Sequence, residues 1–553
     1  MSSFGIKIAQ QLFNGRIHDA TRTLLTELAD IDGVAQRQVE GMLRRIAGQS
    51  EACFPLGETE WGFPISIPLP NLLAHSLVVG TTGAGKSYGA LLLLAHSLER
   101  FTSGNYLPIG ILDAKGELAA KAIEYMQAHA YRLPKENRER LGKKVFVIDF
   151  SRSDLVTPHN ILACKAMPAE LLVNNRIETI SQIYHGSSAL TARMKSILKY
   201  FMLLLIEHGL PITMFEKLCL DTDLVKSLAA KSKDERLRQY FANRFPKEPK
   251  GTILGLRQRI DSLFVSDGVR LSLSAQSTPD FQRLQDEGYF VVINVAGPHI
   301  SRGTSEFLLR VVLSDIRQSV FRRQSLEKKY LWCLDEAQIL YKDSASRENM
   351  NDLLTMARSF GSYFMLLTQS VTSAVQDVDI LNSILANIRW MLMFRSTLRD
   401  AKIISPAIPV TGTALSTKRH LYDQQKFLTK DQELNMRLEE ITHFPERTGY
   451  LWLRSDLPKA IKMKTRQLAP PEEIAGCGRK EFAAFVREHP IGNLVPRRQI
   501  EKELKEMELR LVHEHSPTAS DIDSGANNTH DTQDFIRFLE NNYAKKTGNT
   551  DRS

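Results

Sequence analysis

Short apolar runs alternate with helix-like stretches along much of this chain, and that rhythm predicts most of its architecture. Ser76-Leu77-Val78-Val79, Leu107 to Asp113 and Lys144 to Asp149 read as buried strands. Stretches with apolar residues three and four apart lie between them. The pattern resumes at Tyr289 to Val295 and continues with a helix over Thr304 to Phe321. It then repeats at Tyr330 to Asp335, Tyr363 to Leu367 and Trp390 to Phe394. Gly449 to Leu453 is the last strand, expected to close the sheet. Strands alternating with helices predict an α/β fold, a mainly parallel sheet covered on both faces.

Other stretches break the rhythm. Up to about Gln49 the spacing is helical, as in Arg22 to Leu28 and Val39 to Ile46. A short β-like patch follows, Phe54 to Leu69, punctuated by Gly57, Gly62 and prolines. Between about Met167 and Leu263 strand signals vanish, which predicts an all-helical insertion. Beyond Glu472 a charged helix, Ile500 to Leu511, leads into a Ser-, Thr-, Asp- and Asn-rich segment, His515 to Gln533, expected to be disordered. A final short helix puts Phe535, Phe538, Leu539 and Tyr543 on one face, either as a docking peptide or folded back on its own domain. The expected organisation is a helical segment (1–50), the first part of an α/β domain (51–166), the all-α insertion (167–285), the second part (286–470) and a helical, partly disordered tail (471–553).

Composition narrows the setting. The chain has 553 residues, too many for one compact core. A formal net charge of +9 permits nucleic acid as a partner without requiring it. The cysteines (Cys53, Cys164, Cys219, Cys333, Cys477) are scattered, which argues against a zinc site or a disulfide framework and fits a reducing compartment. The N-terminus lacks the apolar core of a signal peptide, and no apolar run approaches the ~18 residues of a membrane helix. A cytoplasmic location without an integral membrane segment is expected.

The first strand feeds directly into Gly80-Thr81-Thr82-Gly83-Ala84-Gly85-Lys86-Ser87, and a helix-like stretch follows. This is a complete phosphate-binding loop in its proper strand–loop–helix context. Glycines let the backbone curl so that successive amides face phosphate oxygens, and the helix adds its positive end. Lys86 is expected to reach the terminal phosphates, and the Ser87 hydroxyl to ligate Mg²⁺. Downstream, Asp335-Glu336 ends a buried strand, where Asp335 would hold Mg²⁺ through water and Glu336 would polarise the attacking water. Gln369 ends the next strand, where an amide can donate to a phosphate or orient the water; an ordinary polar cap is the plainer alternative. Arg358 precedes that strand and is a candidate finger for a neighbouring subunit's γ-phosphate, although most arginines end in surface salt bridges. Arg395 and Arg399 are weaker candidates for the same role. Asp113-Ala114-Lys115-Gly116-Glu117 is either a loop held by its own ion pairs or a ligand-facing edge of the sheet.

The order of these motifs resembles the HerA/FtsK superfamily of hexameric DNA-pumping ATPases. Asn71 to Gly80 resembles the approach to the HerA-type P-loop. Asp113 to Leu118, Gly142 to Asp149 and His159-Asn160-Ile161-Leu162 resemble the TraG/TraD coupling proteins of conjugation. The likeness runs from about Leu56 to Arg454. It implies a RecA-like P-loop ATPase using ATP and Mg²⁺, a homohexamer, and DNA threaded through a ring, with Arg358 and Gln369 matching the family's finger and sensor segments. The chain departs from both branches: it lacks the membrane helices of the coupling proteins, and its β-like patch is too small for HerA's barrel. Two other settings stay open, a coupling ATPase serving a type IV secretion channel and a nucleotide-gated subunit that recruits an effector such as a nuclease.

Sequence support for DNA contact is thinner. Lys231, Lys233, Arg236, Arg238, Arg244, Lys247 and Lys250 alternate with Tyr240, Phe241 and Phe245. Such a mixture suits phosphate contact and base stacking. Asp234, Glu235 and Glu248 interrupt it, which favours a solvated helix face.

Overall fold

The computed structural model describes residues 53–515, apart from 60–61, 63, 164–166, 185, 342–343, 373–377, 411–428 and 455–458. The expected N-terminal helical segment and the apolar stripe around Phe535 and Phe538 lie outside the described residues.

One large sheet organises the molecule. Its strands are β1 (Cys53–Glu58), β2 (Pro64–Pro68), β3 (Ser76–Val79), β4 (Ile109–Asp113), β5 (Val145–Asp149), β7 (Phe290–Asn294), β8 (Tyr330–Leu334), β9 (Ser362–Thr368), β10 (Trp390–Met393), β11 (Thr448–Leu453) and β12 (Ile461–Thr465). A small pair, β6 (Leu155–Val156) with β13 (Val495–Pro496), stands apart. The order across the main sheet is β2-β1-β12-β11-β10-β3-β9-β8-β4-β7-β5. From β10 to β5 every neighbour is parallel. From β10 outward to β2 every neighbour is antiparallel.

The parallel strands are mainly apolar, with polar residues at their ends, because helices cover both faces; all residues of β3, β8 and β9 are buried. β11 does not close the sheet. It lies inside, and β12 with the β1–β2 hairpin continues beyond it. β12 escaped sequence reading because Ile461-Lys462-Met463-Lys464-Thr465 is a short alternating strand on the antiparallel flank, weaker in signal than a buried run.

Helix α1 (Lys86–Glu99) follows β3 and is apolar over much of its surface, with Ala90 to Ala95 buried. Helix α2 (Glu117–Arg132) follows β4, and α3 (Arg302–Val320) follows β7. Between β6 and β7 the described residues are helical or irregular. These helices do not build a separate core. Phe201, Phe215, Phe241 and Phe245 belong to the same buried cluster as Val79, Ile148 and Val291 of the sheet. Tyr240, Phe241 and Phe245, the aromatic members of the basic stretch, are thereby buried, and Tyr240 stacks on Tyr200 at 3.7 Å. They cannot stack on bases. The alternation of basic and aromatic residues there records one face in solvent and one in the core.

In the same cluster, Trp332 of β8 is fully buried against Gly110 of β4, where an added Cβ would lie 2.3 Å from the indole ring. The indole N–H donates to Gln285 Oε1 at 3.2 Å, and the Ser362 hydroxyl donates to the same oxygen at 3.0 Å.

Candidate functional site

The site forms where the parallel strands end. β3 delivers the chain into the loop, and backbone bonds fix its course. Gly80 N–H donates to Thr368 O at 3.1 Å, Thr81 N–H to Arg395 O at 2.7 Å, and Ala84 N–H to Thr81 O at 3.2 Å. Gly83 (φ 74°) and Gly85 (φ 111°) take left-handed conformations that only glycine adopts cheaply. Gly85 then caps α1, so the loop's amides and the helix N-terminus converge on one concavity. Thr82 and Gly83 are exposed, and Ser87 opens the first turn of α1.

Lys86 is 7% exposed, and its ammonium donates to Gly80 O at 2.6 Å and Thr81 O at 3.0 Å. Burial lowers its pKa below the ordinary lysine value, against the pull of Asp335 and Glu336 and with the push of Lys115.

β8 lies two strands from β3, across β9, and ends in the acidic pair. Asp335 N–H donates to Leu112 O at 2.9 Å, and Asp335 Oδ1 accepts the Glu336 N–H at 3.0 Å. Burial, then the neighbouring Asp113 and Glu336 charges, push the Asp335 carboxyl up to about 7. A buried carboxylate short of cation suits a hard divalent ion, which would relieve both causes. Among the described residues no cluster of three or more His, Cys, Asp or Glu could hold a metal alone. Mg²⁺ takes one or two protein oxygens and fills its shell with phosphate and water. Ser87 and Asp335 are the oxygen donors that would flank it.

Glu336 adopts φ 55°, a left-handed conformation unusual for a side chain of this size. Its carboxylate accepts Gln369 Nε2 at 2.9 and 3.1 Å and also accepts the Gln338 amide. Lys115 Nζ lies 2.5 Å from its Oε1. Gln369 thus reaches the acidic pair from β9. Gln338 was not singled out in the sequence, although it sits two residues beyond Glu336.

Arg358 is not part of this assembly. It is exposed, in the turn before β9, at the starting edge of the strands. Its charge is felt by His75, which precedes β3 at that same edge. Arg395 differs from expectation in the other direction. Its Nε donates to Thr81 Oγ1 at 3.3 Å, so it lies against its own phosphate loop. Arg399 is exposed in the helical turn Leu398–Ala401.

One neighbour of the loop was not foreseen. Arg447 has φ 65°, and its N–H donates to Ala84 O at 2.9 Å. Its Cα stands 3.2 Å from where a Cβ on Gly85 would lie, and its guanidinium sits over the Tyr88 ring at 5.8 Å. Glu446-Arg447-Thr448-Gly449 carries no local signal of this, because a positive φ outside glycine is set by tertiary contacts.

Sheet order and phosphate loop together define a P-loop ATPase fold. Residues 54–316, a little under half of the chain, match the family model described as the central domain of helicase HerA. The match includes the phosphate loop and ends before Asp335. No curated protein matches the chain. Among solved structures, the plasmid coupling protein TrwB with the GTP analogue GDPNP is 16% identical, covers 78% of this chain and 94% of its own, and gives a TM-score of 0.45. VirB4 of Thermoanaerobacter pseudethanolicus is 14% identical, covers 77% and 99%, and gives 0.46. Identities this low carry no functional residue across. Among the described residues no helix is long and apolar enough to cross a membrane.

Proposed function

We propose that the chain hydrolyses ATP with Mg²⁺ and couples this to moving DNA through a homohexameric ring. The observation that carries the reading is the division of the machinery between opposite ends of the parallel strands. Lys86, Asp335, Glu336 and Gln369 gather where the strands end, and Arg358 stands where β9 begins. Seven residues of β9 separate the two edges, roughly 20 Å at strand spacing. No arginine side chain spans that distance, so an Arg358 that touches a phosphate touches the one bound by another copy.

Within one copy, Lys86 cradles the β- and γ-phosphates, and Ser87 and Asp335 hold the metal. Mg²⁺ held by these oxygens would supply positive charge to the phosphate oxygens. Glu336 takes the proton of the attacking water, and Gln369 orients that water. Because the terminal phosphate faces β9 and β8, the nucleoside leaves the loop on the other side, toward β10 and β11. Arg395 and Arg447 await it there, with Tyr88 as the face beneath Arg447.

DNA as cargo is supported by the helicase that gives the matching family model its name and by the net charge of +9. The burial of Tyr240, Phe241 and Phe245 favours contact through phosphates over base stacking in the helical region. The deciding experiment measures ATP turnover with and without duplex and single-stranded DNA, alongside negative-stain images in ATP. DNA-stimulated turnover and six-fold rings are expected. Turnover indifferent to DNA by a monomer would overturn the reading.

A further inference from the structure

Lys115 has no task in the scheme above, yet the loop that carries it is built with care. Asp113 Oδ1 accepts the Lys115 N–H at 2.7 Å, and Oδ2 accepts the Ala119 N–H at 2.8 Å. Gly116 takes φ 87°, with the Asn294 amide oxygen 3.1 Å from where its Cβ would lie. Asp113 therefore clamps the backbone of the loop and leaves the Lys115 amine free to act elsewhere. That amine lies 2.5 Å from Glu336 Oε1, the lysine side chain 43% exposed and the glutamate 8%. The lysine reaches inward from the solvent side to a buried carboxylate.

Glu336 is crowded as a result. Lys115 and Gln369 share Oε1, and Gln369 and Gln338 share Oε2. These contacts fill the roughly four lone-pair sites of a carboxylate, so none is directed at a water. Hydrolysis requires one to open. The charge of Lys115 also acts on Lys86, so the two cations lie near one another.

We propose that Lys115 is a latch on Glu336 that the γ-phosphate of ATP opens. The inference rests on the ATPase reading above. A terminal phosphate carries more negative charge than a carboxylate and draws the ammonium to itself, which frees one lone-pair site on Glu336 Oε1. Water then attacks the γ-phosphorus, its proton passes to Glu336, and the bond to the β–γ bridging oxygen breaks to release ADP and phosphate. ADP lacks the group that moves Lys115, so Glu336 stays held. Lys115 is thus a positioning residue for Glu336 and a discriminator of triphosphate from diphosphate.

The test uses the full chain and equilibrium binding of MgADP and of a non-hydrolysable MgATP analogue. Lys115→Met should weaken the analogue about 10- to 100-fold and MgADP by less than about 2-fold, the loss of one charge-assisted contact to the γ-phosphate alone. Lys115→Arg should recover most of that loss. Glu336→Gln removes the competitor for the ammonium and should tighten the analogue about 3- to 10-fold. The gain should disappear in the Lys115→Met/Glu336→Gln double variant. Equal weakening of both nucleotides by Lys115→Met would mean that the lysine only supports its loop, and would overturn the latch alone. So would a Glu336→Gln gain that survives in the double variant. Unaltered protein that binds neither nucleotide would overturn the ATPase reading and the latch together.

Discussion

The phosphate loop has two flanks, and they are made differently. On the β9–β8–β4 side the functional groups are acids, amides and a lysine, all at the ends of parallel strands. On the β10–β11 side they are arginines: Arg395 bonded to Thr81, and Arg447 held in a left-handed turn against Ala84 and Gly85. In the proposed reading the first flank serves chemistry, with burial pushing Asp335 up and concentrating charge. In the same reading the second serves grip, with cations placed to meet the α-phosphate and the nucleoside. Losses on the first flank should appear in turnover, and losses on the second in affinity.

The largest effect should come from the loop shared by both flanks. Lys86→Ala is expected to leave no measurable turnover and no detectable binding of fluorescent nucleotide. Arg358→Ala comes next, with kcat reduced about 10³-fold or more and nucleotide binding kept. Mixing Arg358→Ala with Lys86→Ala protein should restore part of the turnover, since each copy lends what the other lacks; failure of mixing would argue against Arg358 acting in a neighbour's site. Glu336→Gln should lower kcat about 10²- to 10⁴-fold while nucleotide stays bound, the signature of the first flank.

Arg447→Gly sharpens the contrast. Affinity for ADP and ATP should fall together by about 10-fold, as for one charge-assisted contact. Thermal stability should hold, because glycine accepts φ 65° without strain. An unchanged affinity would remove Arg447 from the second flank. The last effect lies at the far edge and is read in stability alone, not in activity or affinity. Burial holds His75 well below the ordinary 6.5, at about 3. Between these values the unfolded chain binds the proton first, so stability falls as pH drops from 6.5 toward 3. At pH 5 the loss is on the order of 2 kcal/mol, read from urea midpoints at pH 7.5 and 5. His75→Gln should flatten the dependence.

The same contrast explains what could be read in the sequence. The parallel strands announced themselves as continuous apolar runs, because burial on both faces forbids polar positions. The phosphate loop and Asp335-Glu336 were legible because their chemistry fixes local spacing. Arg447 was not, since its conformation is imposed by Ala84 and Gly85, far away in the chain. Lys115 was visible as a residue but not as a partner of Glu336, because that pairing depends on β4 lying beside β8. The basic stretch around Arg236 looked mixed for a plain reason: Arg236 pairs with Asp234 and Glu170 outside, while Tyr240 and Phe241 pack inside.

Trp332 gives the protein an optical reporter of its own. The indole lies on β8, three residues before Asp335, sealed from solvent and anchored to Gln285. Gln285 also accepts from Ser362, the first residue of β9, which ends beside Gln369. Any shift of β8 against β9 that accompanies nucleotide chemistry must alter the polarity around this one ring. With Trp61, Trp390 and Trp452 replaced by phenylalanine, its emission would offer a label-free, time-resolved view of the first flank at work, without a dye or an introduced cysteine.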